Sequence, residues 1–153
     1  MSKLNLEGKG LLGIDYGTKV TGTAIYHPNT YPHPLPHKKI IYKNDEQVID
    51  EIVFITKTED IQLIILGIPH LTDGTDTDAT RKIQQFGNNL QTKLTEVVVL
   101  FQDETLTTFE AKDRMKNSPQ YNFKVNLKEI DCLCASIILE DFLTTQKNDL
   151  AKL

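Results

Sequence analysis

The sequence predicts an α/β fold on a mixed five-stranded sheet, three antiparallel strands followed by two parallel ones, flanked by helices. Three observations carry this. Residues 11–14 and 20–26 are apolar strand-like runs around the tight turn Asp15-Tyr-Gly-Thr-Lys19. Ile61–Leu66 and Glu96–Phe101 are short, nearly all-apolar runs, the pattern of buried central strands. Segments of helical period separate those later runs, as parallel crossovers require.

Element by element, Gly17 supplies backbone freedom in the first turn, where Asp15 and Thr18 are turn formers. Residues 27–37 hold four of the six prolines and are expected to be a loop, with a third strand at 39–43 completing a meander. Asn44 or Asp45 caps a helix through residue 58, with Val48, Ile49, Ile52 and Val53 on one face. A polar loop from Gly67 to Asp78 follows the fourth strand. The next helix spans about 78–93, with Ile83, Phe86, Leu90 and Leu94 in register. After the fifth strand come a short helix near 107–116, a mobile polar stretch to about 127 broken by Pro119, and a last helix over 129–146. The order is βββ-α-β-α-β-α, expected as a single domain over residues 1–153.

Hydrophobic content of 39% and charged content of 25% fit a water-soluble chain. No apolar run approaches the roughly 18–20 residues of a membrane span, and Met1–Leu6 lacks a signal-peptide core, so a cytoplasmic location with no membrane partner is expected. Cys132 and Cys134 lie two apart on a helix, poorly placed to bond each other and unlike a zinc motif. Net charge is −4, which argues against a nucleic-acid partner. The distribution softens this, because Lys112, Arg114, Lys116, Lys124 and Lys128 face the single acid Asp113 within residues 112–128.

Three acids stand in chemically informative places. Asp15 ends the first strand, Glu104 follows the fifth, and Asp131 opens the last helix. Carboxylates at two strand ends and a helix start can converge at one edge of an open sheet. They then repel one another and call for a cation. Oxygen donors favour Mg²⁺ or Mn²⁺, and the combination suggests phosphodiester hydrolysis. Each acid also has a plainer explanation. A strand-end Asp is often a turn former, and an Asp in a helix's first turn is favoured by the helix dipole. Asp103 beside Glu104 can be a cap or a solvated acid. Strand alternation lets one of the pair point inward, and Glu104 is favoured.

The Gly67-Ile-Pro-His-Leu-Thr-Asp-Gly-Thr75 loop can bring backbone near phosphate or simply turn the chain. Lys19, Arg81, Lys82, Lys112, Arg114 and Lys116 are candidate nucleic-acid contacts, although exposed basic side chains are more often just solvated. Three of the four histidines fall in the proline-rich segment and are expected to be ordinary surface residues.

Four blocks resemble the YqgF family (RuvX-like), known under the labels Holliday junction resolvase and pre-16S rRNA nuclease. They are Gly13-Ile-Asp-Tyr-Gly-Thr-Lys19; Leu66–Thr75 with Phe86 and Leu90; Asp103-Glu-Thr-Leu-Thr-Thr108 with Glu110-Ala111; and Asp131 with Ala135 and Ile138-Leu139. The resemblance spans nearly the whole chain. It implies a ribonuclease H-like fold, with Asp15, Glu104 and Asp131 as catalytic residues and metal ligands. Two departures stand out. Thr105 occupies the place of the family's usual arginine, and Cys134 precedes Ala135 where the family often pairs alanines.

The resemblance implies processing of the 5′ end of precursor 16S rRNA, with the ribosome as a candidate partner and the protein a monomer or weak homodimer. The alternative is resolution of four-way DNA junctions. A rival from another class is a non-catalytic module that binds structured RNA or the ribosome, which the acidic pI and Thr105 favour. A nucleotide-binding role is also conceivable, because Asp-Tyr-Gly-Thr-Lys resembles the first phosphate loop of actin-like ATPases. Those enzymes pair two such domains, and this chain has room for one.

Overall fold

β1 (Gly10–Asp15) and β2 (Val20–Tyr26) pair antiparallel in the computed structural model, with Ile14 opposite Thr23 and Asp15 opposite Gly22. The structure describes residues 6–69, 77–104 and 107–151, with side chains to residue 146. β3 (Leu35–Ile41) adds to the outer edge of β2, again antiparallel. β4 (Ile61–Ile68) lies parallel to β1 on its other side, and β5 (Val98–Asp103) lies parallel to β4. The sheet order is β3-β2-β1-β4-β5. This is the expected mixed sheet, and both parallel strands follow helical crossovers.

Helix α1 (Asp45–Thr58) starts where a cap was expected. Asn44 accepts from the Gln47 amide at 2.7 Å, and the Gln47 side chain reaches back to the Asn44 amide in a capping box. Helix α2 (Asp78–Lys93) is capped by Thr77. Both helices pack on one face of the sheet, over Leu12, Ile14, Ile64 and Leu66, with Ile52, Phe86 and Leu90 fully buried. Helix α4 (Ile130–Ala151) covers the other face through Ala135, Ile138, Leu139 and Phe142, above Leu11, Ala24, Leu63 and Ile65. Helix α3 (Thr107–Lys116) packs on α4 through Ala111 and Met115. Among the described residues, no helix is long and apolar enough to cross a membrane.

Two expectations change. β3 begins at Leu35 rather than 39, taking Pro36 and His37 into a strand. A proline costs a ladder donor, and an edge strand has one side on which no partner needs it. β5 is displaced two residues toward the C-terminus and is not a buried central strand. It forms the other edge of the sheet, leaving Val98 51% and Phe101 41% exposed. Periodicity cannot distinguish an apolar edge strand from a central one. Pro119–Tyr121 forms a 3-10 turn capped by Ser118, and the Asn126 amide bonds the Met115 sulfur.

Candidate active site

Parallel strands β1, β4 and β5 all end at the same edge of the sheet, so Asp15 and Glu104 arrive there from two strands separated only by β4. Glu104 continues the β5 ladder by one residue, its amide donating to the Ile68 carbonyl at 3.0 Å. It faces the space above Gly67. A methyl at Gly67 would stand 2.8 Å from Glu104 Oε2 and 2.5 Å from Ile138 Cδ1. The absence of a side chain at Gly67 therefore makes room for the carboxylate.

Asp131 arrives from the other direction. α4 runs back across the sheet with its first turn against Gly22, where an added methyl would meet the Asp131 carbonyl oxygen at 2.1 Å. Further along, Gly13 gives the same close approach to Ala135 and Leu139. Two side-chain-free positions on adjacent strands let the helix sit low enough to bring its second residue to the strand-end acids.

The β1–β2 turn is anchored beneath. The Tyr16 hydroxyl donates to Asp45 Oδ1 at 2.6 Å, and its ring stacks on Phe86 with centroids 4.2 Å apart. The Gly17 amide lies 3.4 Å from Thr21 Oγ1. The Tyr16 contacts hold the backbone just after Asp15 to the α1–α2 core, and the Gly17 contact closes the turn onto β2.

Asp15 and Glu104 are linked by a hydrogen bond, and the charge of Asp131 reaches Asp15. Burial, then the neighbouring Glu104 charge, a hydrogen bond to Glu104 and the charge of Asp131 push the Asp15 carboxyl up to about 8. Glu104 is also raised, by burial first, while the hydrogen bond from Asp15 pulls it back. Asp15 therefore holds the proton and donates it to Glu104. Asp131 is raised by burial and lowered in part by the Lys39 ammonium. Cys134 faces the same charges from α4. Burial, then Asp15, pushes its thiol up to about 12, so it is a neutral neighbour, hydrogen-bonded to the Thr108 side chain. Both cysteines are buried and unpaired with each other.

The donor set fits a hard divalent cation in its chemistry. It is all oxygen and raised in pKa by burial first, with repulsion from Glu104 and Asp131 added at Asp15, a cost that a cation would relieve. Asp15 and Glu104 already touch. Among the described residues no three acidic, histidine or cysteine side chains close into a metal cage, so Asp131 stands near the pair without completing it.

The remaining expected residues are scattered. Thr18 and Lys19 are exposed in the β1–β2 turn. Asp103 ends β5 exposed, and its charge raises Glu104. Arg81 and Lys82 lie on the exposed side of α2, with Arg81 ion-paired to Asp78. Lys112 and Lys116 are exposed on α3, whereas Arg114 is held by Glu110 at 2.9 Å and Glu140 at 2.6 Å. Of the histidines, His37 stands 3.9 Å from Glu59 and His27 packs edge-on against Tyr31. Thr105 and residues 70–76 of the Gly67 loop, His70 among them, lie outside the described residues. Sequence reasoning passed over Gly22, Cys134 and Lys39 as parts of this site. A glycine inside a strand pattern was a usable signal for Gly22. Lys39 had none, because only strand register brings it here.

Comparison with known proteins gives a consistent picture. The family model RuvX, Holliday junction resolvase, matches residues 9–145. A protein of Maridesulfovibrio salexigens named "Putative pre-16S rRNA nuclease" is 31% identical over 133 residues, covering 87% of this chain and 96% of its own. A Mesomycoplasma hyopneumoniae protein of the same name is 36% identical over 138 residues, covering 90% and 95%. Among solved structures, Thermus thermophilus RuvC in complex with a Holliday junction substrate superposes with a TM-score of 0.57 at 7% identity, over 90% of this chain and 96% of that one. The fowlpox virus resolvase in its junction complex gives 0.55 at 13% identity, over 92% and 99%. At such identities these two structures bear on the fold, which is the ribonuclease H-like arrangement of the resolvases.

Proposed function

Because the chain belongs to the RuvX family, we propose that it is a nuclease that hydrolyses phosphodiester bonds, acting at the 5′ end of precursor 16S rRNA. The observation that carries this is the half-buried, hydrogen-bonded Asp15–Glu104 pair with Asp131 in electrostatic range, at the edge where β1, β4 and β5 end. A purely structural role explains such a cluster poorly, since burying carboxylates against one another costs stability. The names of the curated relatives support the rRNA substrate.

Asp15, Glu104 and Asp131 would hold Mg²⁺ or Mn²⁺, which when bound supplies charge neutralisation at the reacting phosphate. The chain's own residues do the rest. Asp15 and Glu104 define the reacting point between β1 and β5, and Asp131 faces it from α4. Asp15, which keeps its proton in the metal-free protein, would have to release it to solvent to act as a ligand. The α1–α2 core holds Tyr16, and with it the Asp15 backbone, so that the phosphate meets a pre-set edge. The exposed lysines 19, 82, 112 and 116 supply the electrostatic approach. One cytoplasmic domain spanning residues 1–153 suffices for this, working as a monomer on a strand end, with the ribosome as the setting of its substrate.

The family model's description favours a second substrate, the four-way DNA junction. Its two-fold symmetry would ask for a homodimer. The test is cleavage of two labelled substrates, an RNA spanning the 16S precursor end and a four-way DNA junction, in Mg²⁺ or Mn²⁺. Metal-dependent cutting that Asp15→Asn abolishes is expected for the RNA. Cutting of the junction alone would move the assignment to resolution. No cutting of either by folded, metal-loaded protein would favour a non-catalytic RNA-binding module.

A further inference from the structure

We infer that Lys39 is a phosphate-binding position, marking where the nucleic-acid backbone leaves the carboxylates toward the β3 edge of the sheet. This rests on the nuclease reading and adds a path to it.

The placement follows from register. Lys39 pairs with Gly22, and paired residues share a face of the sheet. On that face Gly22 has no side chain, and the first turn of α4 sits directly on it. The next side chain outward is Lys39. Its stem runs beside that turn, and its Nζ donates to the Lys128 carbonyl at 3.3 Å. The same ammonium acts on Asp131 and Cys132 through its charge. A single long bond leaves an ammonium, with its three donors, able to take a phosphate oxygen as well.

Neighbouring cations are committed differently. Lys38 alternates to the opposite face and pairs with Glu51 at 3.4 Å. Arg114 is held between Glu110 and Glu140. Lys39 is exposed on an edge strand, forms no ion pair among the described residues, and lies within electrostatic range of Asp131. Acids that gather at one point repel a polyanion. A cation beside the outermost of them gives the chain a favourable next step, and a divalent ion held by Asp131 would leave the Lys39 ammonium freer for phosphate.

The test is binding rather than turnover, with Ca²⁺ in place of Mg²⁺ and the same RNA and junction probes titrated between 50 and 200 mM salt. Wild type is expected to lose about threefold more affinity across that range than Lys39→Met or Lys39→Gln, the signature of one phosphate contact. Lys39→Arg should keep the wild-type salt dependence, and all three variants should melt close to wild type. Wild-type salt dependence in both neutral variants overturns the inference while leaving the nuclease reading intact. Failure of wild type to bind either probe removes both.

Discussion

At the scale of single residues, Asp15 carries the most consequence. Its carboxyl is held up near 8 by burial and then by Glu104, whereas in the unfolded chain it titrates as an ordinary aspartate. Between those values the folded protein binds the proton and the unfolded chain does not. Stability therefore falls as pH rises through that window. Asp15→Asn removes the penalty. The metal-free variant should melt above wild type at pH 7.5, with the gap closing toward pH 4. A gap that does not change with pH would contradict the burial assigned to this carboxyl. Glu104 is raised as well and adds to the same trend.

At the scale of elements, two glycines on the sheet make opposite predictions. At Gly22 an added methyl meets backbone, the Asp131 carbonyl, so α4 must lift from the sheet. Overpacking of this kind costs about 1–3 kcal/mol or more. Gly22→Ala should lower the melting temperature and activity together. At Gly67 the methyl meets the ends of two side chains, Glu104 and Ile138, which can turn aside. Gly67→Ala should melt closer to wild type yet lose most of its cleavage, because the side chain displaced is the carboxylate. Paired melting and cleavage assays on the two variants check this. Equal losses of activity per degree of melting would show that Gly67 serves packing alone.

At the scale of the molecule, a cation held at the acidic cluster would couple its binding to the stability of the whole chain. A cation that binds the folded site and not the unfolded chain stabilises in proportion to its occupancy. Protons compete for the same oxygens. Added Mg²⁺ should therefore raise the melting temperature more at pH 8 than at pH 5, and should do so little or not at all in Asp15→Asn. Scanning calorimetry at the two pH values decides it. A shift of equal size in the variant would place the cation elsewhere on a chain whose net charge is −4.

The order of elements, the bounds of β2 and α2, and a helix cap at Asn44 or Asp45 were legible in the chain. They depend on local period, turn chemistry and capping, which act within a few residues. What lay beyond local pattern was decided by pairing. The outer position of β5 and the early start of β3 came from which strands lacked a second neighbour, and an apolar run reads the same in either place. The contact between Asp15 and Glu104, the approach of Asp131 over Gly22, and the place of Lys39 beside it join residues 89, 109 and 92 positions apart in sequence. Side-chain chemistry names the groups that can react. Only strand register and the depth at which α4 packs decide which of them meet, because charge and desolvation act across space rather than along the chain.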